Sequence, residues 1–171
     1  TLDHMHIDVR LGGDAAFDQL VAACRDMGLQ VMLDGVFNHV SRNHPAVQAA
    51  LDETAGRLNP ADNPWHGLVR AHVGDNDEPA LDVFEGHGDL VALDHSADET
   101  VDYVVHVMSH WLDRGAAGWR LDAAYAVPSP FWARVLPQVK AAHPYSWIFG
   151  EVIHGDYPRI IEESTMDSIT Q

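Results

Sequence analysis

The sequence predicts an α/β fold made of repeated right-handed βα units. Three short apolar stretches alternate with segments of helical periodicity, and we expect strands at 29–37, 117–122 and 146–153. The first reads LQVMLDGVF, and continuous apolar strands of this kind are typical of parallel sheets covered on both faces. Alternating strands and helices with short returns favour either a doubly wound open sheet or a (β/α)8 barrel.

Helices are expected before, between and after these strands. Residues 14–28 carry apolar side chains at helical spacing, which form one predicted buried face: Phe17, Leu20, Val21, Cys24 and Met27. Cys24 is therefore interpreted as an inert core residue. Further helices are expected after the capping-box pattern at Ser96, after Ser129 and near Pro158, and Pro137 should bend or shorten the helix that contains it.

The stretch between the first strand and the second helix holds most of the Gly, Pro, Asn and His residues. Segments such as RLNPADNPWHG are typical of loops. An insert of this length inside a compact domain is often functional. We predict one domain in three parts: a first segment at 1–39, an irregular insert at 40–95 and a second segment at 96–171.

The composition is that of a globular domain with a sizeable core. The chain has 171 residues, of which 46% are hydrophobic, and a formal net charge of −16. This acidic balance argues against nucleic acid or an anionic membrane as the main partner. The single cysteine excludes an intrachain disulfide, and no apolar run approaches the roughly 20 residues that a membrane span needs.

Three predicted strands end in carboxylates, namely Asp34, Asp122 and Glu151. In parallel α/β folds the chemistry gathers at the carboxyl ends of the strands. An ionisable group there is costly to bury unless it is paired or used. One such residue alone is best explained by a structural ion pair, whereas three at equivalent strand ends indicate a site.

Arg120 supplies the predicted geometry of this site. It lies two residues before Asp122, so both side chains point to the same face of the strand. A guanidinium there favours the ionised form of Asp122, which can then act as a nucleophile, and Asp34 is expected to hold Arg120 in place. Glu151 shares its face with Phe149, and an apolar setting favours the protonated form of a carboxyl. One charged and one protonated carboxyl are what retaining glycoside hydrolysis requires.

At this point the sequence resembles glycoside hydrolase family 13, the α-amylase family. DGVFNH at 34–39, GWRLDAAYA at 118–126 and FGEV at 149–152 resemble its first three signature regions, in order. DHMHIDVRLGG at 3–13 is similar to the segment that follows the second barrel strand. The resemblance implies a partial (β/α)8 TIM barrel, covering about strands 3 to 5, with an irregular B-domain-like insert after the third strand.

The resemblance also implies roles for individual residues. Asp122 would be the nucleophile and Glu151 the general acid and then the base. Arg120 would position and charge-stabilise Asp122, with Asp34 as its structural support. His39 would hydrogen-bond the sugar where the bond is cleaved. The implied substrate is an α-glucan or maltooligosaccharide.

The resemblance also bears on calcium binding. The implied chemistry requires no cofactor, but Asn38 matches a calcium ligand of many α-amylases. Ala92 stands where many of them have a ligating Asp, and Tyr125-Ala126 replaces their common Lys-His pair. These departures weaken the case for the usual calcium site. They favour a neopullulanase, cyclomaltodextrinase or other oligosaccharide-acting enzyme over an endo-acting α-amylase.

The family places its third catalytic carboxylate after the seventh barrel strand. We therefore expect 1–171 to be the middle of a catalytic domain and to be inactive by itself. The alternatives are a glucanotransferase or isomerase of the family, such as a trehalose synthase-like enzyme, or a noncatalytic glucan-binding relative.

Some His and Trp residues have two interpretations. His4 and His6, and His106 and His110, have spacings that metal ligands use, but a loop or helix-flank role is the simpler interpretation. Trp65, in a polar loop, is a candidate for stacking on a sugar ring.

Overall fold

The computed structural model describes residues 1–170, which form two compact units. The insert unit comprises residues 1–2 and 36–103, and the sheet unit comprises residues 3–35 and 104–170. None of the helices in 1–170 is long and apolar enough to cross a membrane. The predicted insert at 40–95 lies inside the insert unit.

The helices and strands of the described chain are numbered in sequence order. The helices are α1 (Gly13–Asp26), α2 (Pro45–Thr54), α3 (Asp98–Asp113), α4 (Ser129–Ala142) and α5 (Tyr157–Ser164). The strands are β1 (Met32–Gly35), β2 (His39–Ser41), β3 (Ala71–Val73), β4 (Pro79–Leu81), β5 (Leu90–Ala92), β6 (Gly118–Leu121), β7 (Trp147–Glu151) and β8 (Ser168–Thr170).

A parallel sheet in the order β1-β6-β7-β8 organises the sheet unit. Its register pairs Arg120 with Asp34 on one side and with Phe149 on the other. The predicted α/β class with a parallel sheet is confirmed, and the three predicted strands are present in shorter form. The sequence analysis missed β8, because a strand of three residues is too short to show a periodicity.

Within residues 1–170, strand β1 stands at one end of the sheet order and is partly exposed, so the predicted burial on both faces is not seen in this part of the sheet. Met32 is 40% exposed and Leu29, just before the strand, is 57% exposed. Apolar composition cannot distinguish an edge strand from a central one, since that depends on which strands pair.

Helix α1 buries a narrower face than predicted. Phe17 and Val21 are buried, whereas Leu20 and Met27 are exposed and Cys24 has intermediate exposure, so the assignment of Cys24 to the core is wrong. The Phe17 ring meets Trp111 of α3 edge-on, with 4.8 Å between ring centroids. The helix thus packs through a pair of residues one turn apart rather than through a broad stripe.

Helices α3 and α4 supply most of the core of the sheet unit. Its buried side chains include Val104, Met108, Trp111, Leu121, Trp132, Val135, Leu136 and Ile148. Pro137 lies inside α4 and does not end it, so of the two predicted effects the helix is not shortened there, and the bend stays a prediction. Past this proline, Lys140 Nζ donates to Asp167 Oδ2 at 2.6 Å, and the same oxygen accepts the Ile148 N–H at 2.7 Å, which ties α4 to β7.

The insert unit has more regular structure than its loop-rich composition indicated. Strand β2 pairs antiparallel with β5, and β3 pairs antiparallel with β4. Helix α2 follows His44, whose Nδ1 accepts the Ala46 N–H at 3.1 Å. The core of this unit consists of Val40, Ala46, Val47, Ala50, Leu68, Val69, Val91 and Leu93. Its strands have three residues each, too few to show the alternation by which a strand is recognised in a sequence.

Gly118 allows β6 and β7 to approach each other. A Cβ on this residue would stand 2.0 Å from the carbonyl oxygen of Trp147, which is backbone and cannot move aside. We expect Gly118→Ala in the full-length protein to lower the free energy of unfolding by about 1–3 kcal/mol, measured by urea titration. Gly88→Ala is the control, since a Cβ there meets nothing closer than 4.0 Å. Equal effects of the two substitutions would contradict the prediction.

His95 makes the stability of the insert unit dependent on pH. Its ring is buried, with Nε2 2.9 Å from the carbonyl oxygen of Phe37, and burial lowers its pKa from 6.5. The unfolded chain therefore binds a proton at a pH where the folded chain does not. The stabilisation is complete above the unfolded value and is lost as the pH falls below it towards the lowered folded value.

We expect the free energy of unfolding to fall less between pH 7.5 and 5.5 in His95→Gln than in the wild type. Urea titrations at both pH values give the change in the free energy of unfolding for each variant. His87→Gln, at an exposed position, should keep the wild-type dependence. A full wild-type fall in His95→Gln would reject the assignment.

Candidate active site

The structure brings four of the predicted site residues together at the carboxyl ends of neighbouring parallel strands. Asp34 lies in β1, Arg120 in β6 and Glu151 at the end of β7, while Asp122 directly follows β6. The paired register of β6 and β7 ends at Leu121 and Gly150, and Asp122 and Glu151 each come one residue later. Strand alternation puts Arg120 and Asp122 on one face, as predicted.

One guanidinium contacts all three carboxylates. Arg120 Nη1 donates to Asp34 Oδ1 at 2.5 Å and to Asp122 Oδ1 at 3.1 Å. Arg120 Nη2 is 2.8 Å from Glu151 Oε1. The planar fork of arginine suits this role, because its donors point in fixed and different directions. Arg120 therefore fixes the positions of both predicted catalytic carboxylates relative to each other.

The electrostatics of the site follow from this contact. The hydrogen bond with Asp34, and after it the one with Asp122, raise the pKa of Arg120, although burial opposes them. The guanidinium is thus a permanent positive charge among three carboxylates. The side chain of Asp34 is 56% exposed, whereas those of Asp122 and Glu151 are 28% and 27% exposed. Asp34 is thus the most exposed of the three carboxylates, and its supporting role stays a prediction.

The setting of Glu151 differs from the apolar one that the sequence predicted. Phe149 does lie on the same face of β7, but the carboxylate is held by two donors. Oε1 meets Arg120 Nη2, and Oε2 accepts the N–H of Ala123 at 3.0 Å. The carboxyl group therefore lies in a polar setting rather than an apolar one. The prediction failed here because it considered only the neighbours of Glu151 along its own strand.

Ala123 is a site residue that the sequence analysis missed. Its φ is 46°, in the left-handed region, which costs a residue with a Cβ about 1–2 kcal/mol. This conformation turns the chain immediately after Asp122 and directs the Ala123 N–H at Glu151. No sequence signal marks this position, because alanine is not a residue that favours positive φ.

Gly150 lets the same turn pack against β7. A Cβ at Gly150 would lie 2.8 Å from the Cβ of Ala124 and 2.6 Å from the sulfur of Met166. The short 3₁₀ turn Ala124–Ala126 therefore sits directly over the strand that carries Glu151. The absence of a side chain at Gly150 leaves room for this turn against β7.

His39, Asn38 and Trp65 belong to the insert unit. His39 is buried in β2, stacks on Phe84 with 5.0 Å between centroids, and has Nδ1 3.3 Å from Asn38 Oδ1. Trp65 is half-buried and meets the rings of His44 and Tyr103 edge-on. It lines a cavity of about 190 Å³ within the unit. The sugar-binding roles of His39 and Trp65 stay predictions.

Calcium binding at Asn38 stays a prediction as well. Calcium takes six to eight oxygen ligands. The side chain of Asn38 supplies one oxygen, which already contacts His39, and Ala92 adds no side-chain oxygen. Within 1–170 no group of three or more His, Cys, Asp or Glu is placed to hold a metal ion. The residues around Asn38 do not by themselves fit a calcium site, and no chemical step is derived through one.

Comparisons with known proteins identify the family. The family model described as alpha amylase, catalytic domain, matches residues 1–165, so the chain belongs to the α-amylase family, glycoside hydrolase family 13. A maltogenic alpha-amylase of Bacillus acidopullulyticus is 30% identical over 159 residues, which are 92% of this chain and 27% of that protein. A cyclomaltodextrinase of a Bacillus species is 31% identical over 156 residues, 90% of this chain and 27% of that protein.

Solved structures agree with this assignment. The cyclic alpha-maltosyl-(1→6)-maltose hydrolase of Arthrobacter globiformis superposes with a TM-score of 0.77 at 25% identity, over 92% of this chain and 35% of that one. The family resemblance found in the sequence is therefore confirmed. The chain spans about a quarter of the length of the curated relatives it matches, 27% for the two given above.

Removing the central cation should destabilise the protein in a pH-dependent way. Arg120→Met leaves three neighbouring carboxylates without their shared counterion, so we expect the free energy of unfolding at pH 7 to fall by about 1–3 kcal/mol. The deficit should shrink near pH 4.5, where carboxylates take up protons. Urea titrations at the two pH values measure it.

Arg10→Met is the matched control, since its ion pair with Asp8 is on the surface, with an arginine side chain that is 85% exposed. A deficit of the same size at both pH values would show that Arg120 contributes packing rather than charge.

Proposed function

We propose that the full-length protein hydrolyses α-glucosidic bonds of maltooligosaccharides or related α-glucans with retention of configuration. The family assignment and the names of the similar proteins support the substrate class. The observation that carries the reaction type is the contact of one guanidinium with both Asp122 and Glu151. This contact holds the two carboxyl groups, which come from adjacent strand ends, close together.

The spacing of adjacent strands favours retention over inversion. Neighbouring strands lie about 4.8 Å apart, and retaining glycosidases hold their two carboxyl groups about 5–5.5 Å apart. Inverting enzymes need a wider gap that admits a water molecule. Asp122 and Glu151 follow directly paired positions of β6 and β7, which supports the retaining assignment.

In the first proposed step, a carboxylate oxygen of Asp122 attacks the anomeric carbon of the sugar. The bond from that carbon to the glycosidic oxygen breaks, and its electron pair goes to the oxygen. Glu151 gives its proton to this oxygen, so the leaving sugar departs as a neutral alcohol. Asp122 is then joined to the sugar as an ester.

In the second step, water attacks the same carbon from the face that the leaving group vacated. Glu151, now a carboxylate, accepts a proton from the water. The ester bond breaks, and its electron pair returns to Asp122. Two inversions at one carbon restore the original α configuration.

The contacts of Glu151 support its part in both steps. Arg120 Nη2 meets Oε1 and the Ala123 N–H meets Oε2, so the carboxyl group is held in one position while it first gives and then accepts a proton.

We also propose that the four-stranded sheet is part of a (β/α)8 barrel. Its strands are parallel, and its carboxylates meet at their carboxyl ends, where barrel enzymes place their active sites. Met32 lies on the same face of β1 as Asp34 and is 40% exposed. Such exposure is expected of a strand face that further strands would cover. The B-domain-like character of the insert stays a prediction.

Transfer to a sugar acceptor is the second candidate activity. The same ester on Asp122 serves both reactions, which differ only in whether water or a sugar hydroxyl attacks it. Product analysis with maltotriose distinguishes them, since transfer yields oligosaccharides longer than the substrate. Binding of maltoheptaose without any turnover would instead favour a noncatalytic glucan-binding protein.

Asp122→Asn in the full-length protein should lower maltotriose turnover by at least about a thousandfold, because the amide is a poor nucleophile. Asp26→Asn, at the exposed end of α1, is the control and should be fully active. Wild-type turnover in Asp122→Asn would reject the nucleophile assignment.

The stereochemical course is measured on the wild type by proton NMR. Retention predicts that the first product signal is the α anomer, which later equilibrates with the β anomer. An initial β anomer would show inversion and reject the proposed mechanism while leaving the substrate class intact.

A further inference from the structure

A cavity of about 190 Å³, the Trp65 cavity, lies within the insert unit. Its lining residues come from the loop after α2 and from the first two turns of α3, and they include Asn63, Trp65, His66, Leu68, Glu99 and Tyr103. None of them belongs to the carboxylate cluster around Arg120. The reaction steps described above do not use them either.

One carboxylate of α2 orders the polar residues of the Trp65 cavity. Asn63 Nδ2 donates to Glu53 Oε2 at 2.7 Å, and His66 Nδ1 lies 2.8 Å from Glu53 Oε1. Asn63 Oδ1 also accepts the backbone N–H of Trp65 at 2.9 Å. The loop that carries the indole is therefore tied through Glu53 to a regular helix.

Aromatic rings supply the apolar surface of the cavity. Trp65 packs against the core of the insert unit and meets the rings of His44 and Tyr103 edge-on, with 5.1 Å and 6.1 Å between ring centroids. Trp65 and Tyr103 are both half-buried, so each keeps part of its surface accessible. A ligand would not have to order the indole on binding, because these contacts already hold it.

The polar groups that line the cavity include an acceptor and a donor without partners. Within residues 1–170, neither the Glu99 carboxylate nor the Trp65 indole N–H has a hydrogen-bond partner. Glu99 lies close to the loop, since a Cβ on Gly67 would stand 2.9 Å from its Oε2. A sugar hydroxyl both donates and accepts, so sugar hydroxyls can serve both groups. An anion would be repelled by Glu99, and a cation would offer the indole N–H no acceptor.

We propose that the Trp65 cavity is a noncatalytic site that binds one glucosyl unit of an α-glucan chain. The identity of the sugar rests on the proposed function. Pockets for drug-sized ligands have volumes of roughly 300–1,000 Å³, and this smaller cavity suits a single ring. The aromatic surface packs on the C–H face of the pyranose, while Glu99 accepts from its hydroxyls.

Glu99→Ala in the full-length protein tests this role. In an Asp122→Asn background, which prevents turnover, we expect it to raise the Kd for glycogen about tenfold, measured by retardation in native gels. The physical reason is the loss of a hydrogen bond to a charged group and of one of two points of attachment to the polymer. Trp65→Phe keeps an aromatic ring against the core but lacks the indole N–H, so it should weaken retardation in the same direction. With Asp122 intact, Glu99→Ala should change kcat/KM for maltotriose less than about twofold.

Asp98→Ala is the matched control, because Asp98 shares the first turn of α3 with Glu99 but does not line the cavity. Thermal unfolding of each variant checks that it is folded. Equal retardation of Glu99→Ala and the control, or a loss of maltotriose turnover as large as the loss of glycogen binding, would overturn the inference while the proposed function stands. A wild-type protein that neither hydrolyses maltotriose nor binds glycogen would instead reject the proposed function.

Discussion

The site depends on one interaction, the contact of the Arg120 guanidinium with three carboxylates. Parallel pairing places Asp34, Asp122 and Glu151 at adjacent strand ends, where three negative charges would repel one another. A single planar cation with several fixed donors neutralises part of that charge and sets the relative positions of the oxygens. Lysine, with one flexible ammonium, could not give the same geometry.

The backbone contributes as much to this site as the charged side chains do. The left-handed turn at Ala123 stores strain of about 1–2 kcal/mol and points an N–H at Glu151. The missing side chain at Gly150 allows the turn to pack on β7. The same turn presents Tyr125 beside His154. One short segment therefore links the proposed nucleophile and the proposed acid.

Sequence reasoning succeeded where the signal is local and failed where it depends on strand neighbours. The order of the helices and strands of the sheet unit other than β8, and the placement of Asp34, Asp122 and Glu151 at strand ends, were predictable, because they follow from periodicity and from residues close in the chain. The exposure of Met32 and the second donor to Glu151 were not predictable from the sequence. Both depend on which strands lie side by side.

The sequence by itself determined the family, the α/β class and the identity of the residues that meet at the site, since these are recorded in short ordered motifs. Only the tertiary structure decided that Glu151 is held by Arg120 and Ala123 rather than by an apolar wall. It also decided that β1 pairs with β6. The physical reason is that contacts between residues tens of positions apart arise from strand register and from positive-φ turns, neither of which the identity of one residue reveals.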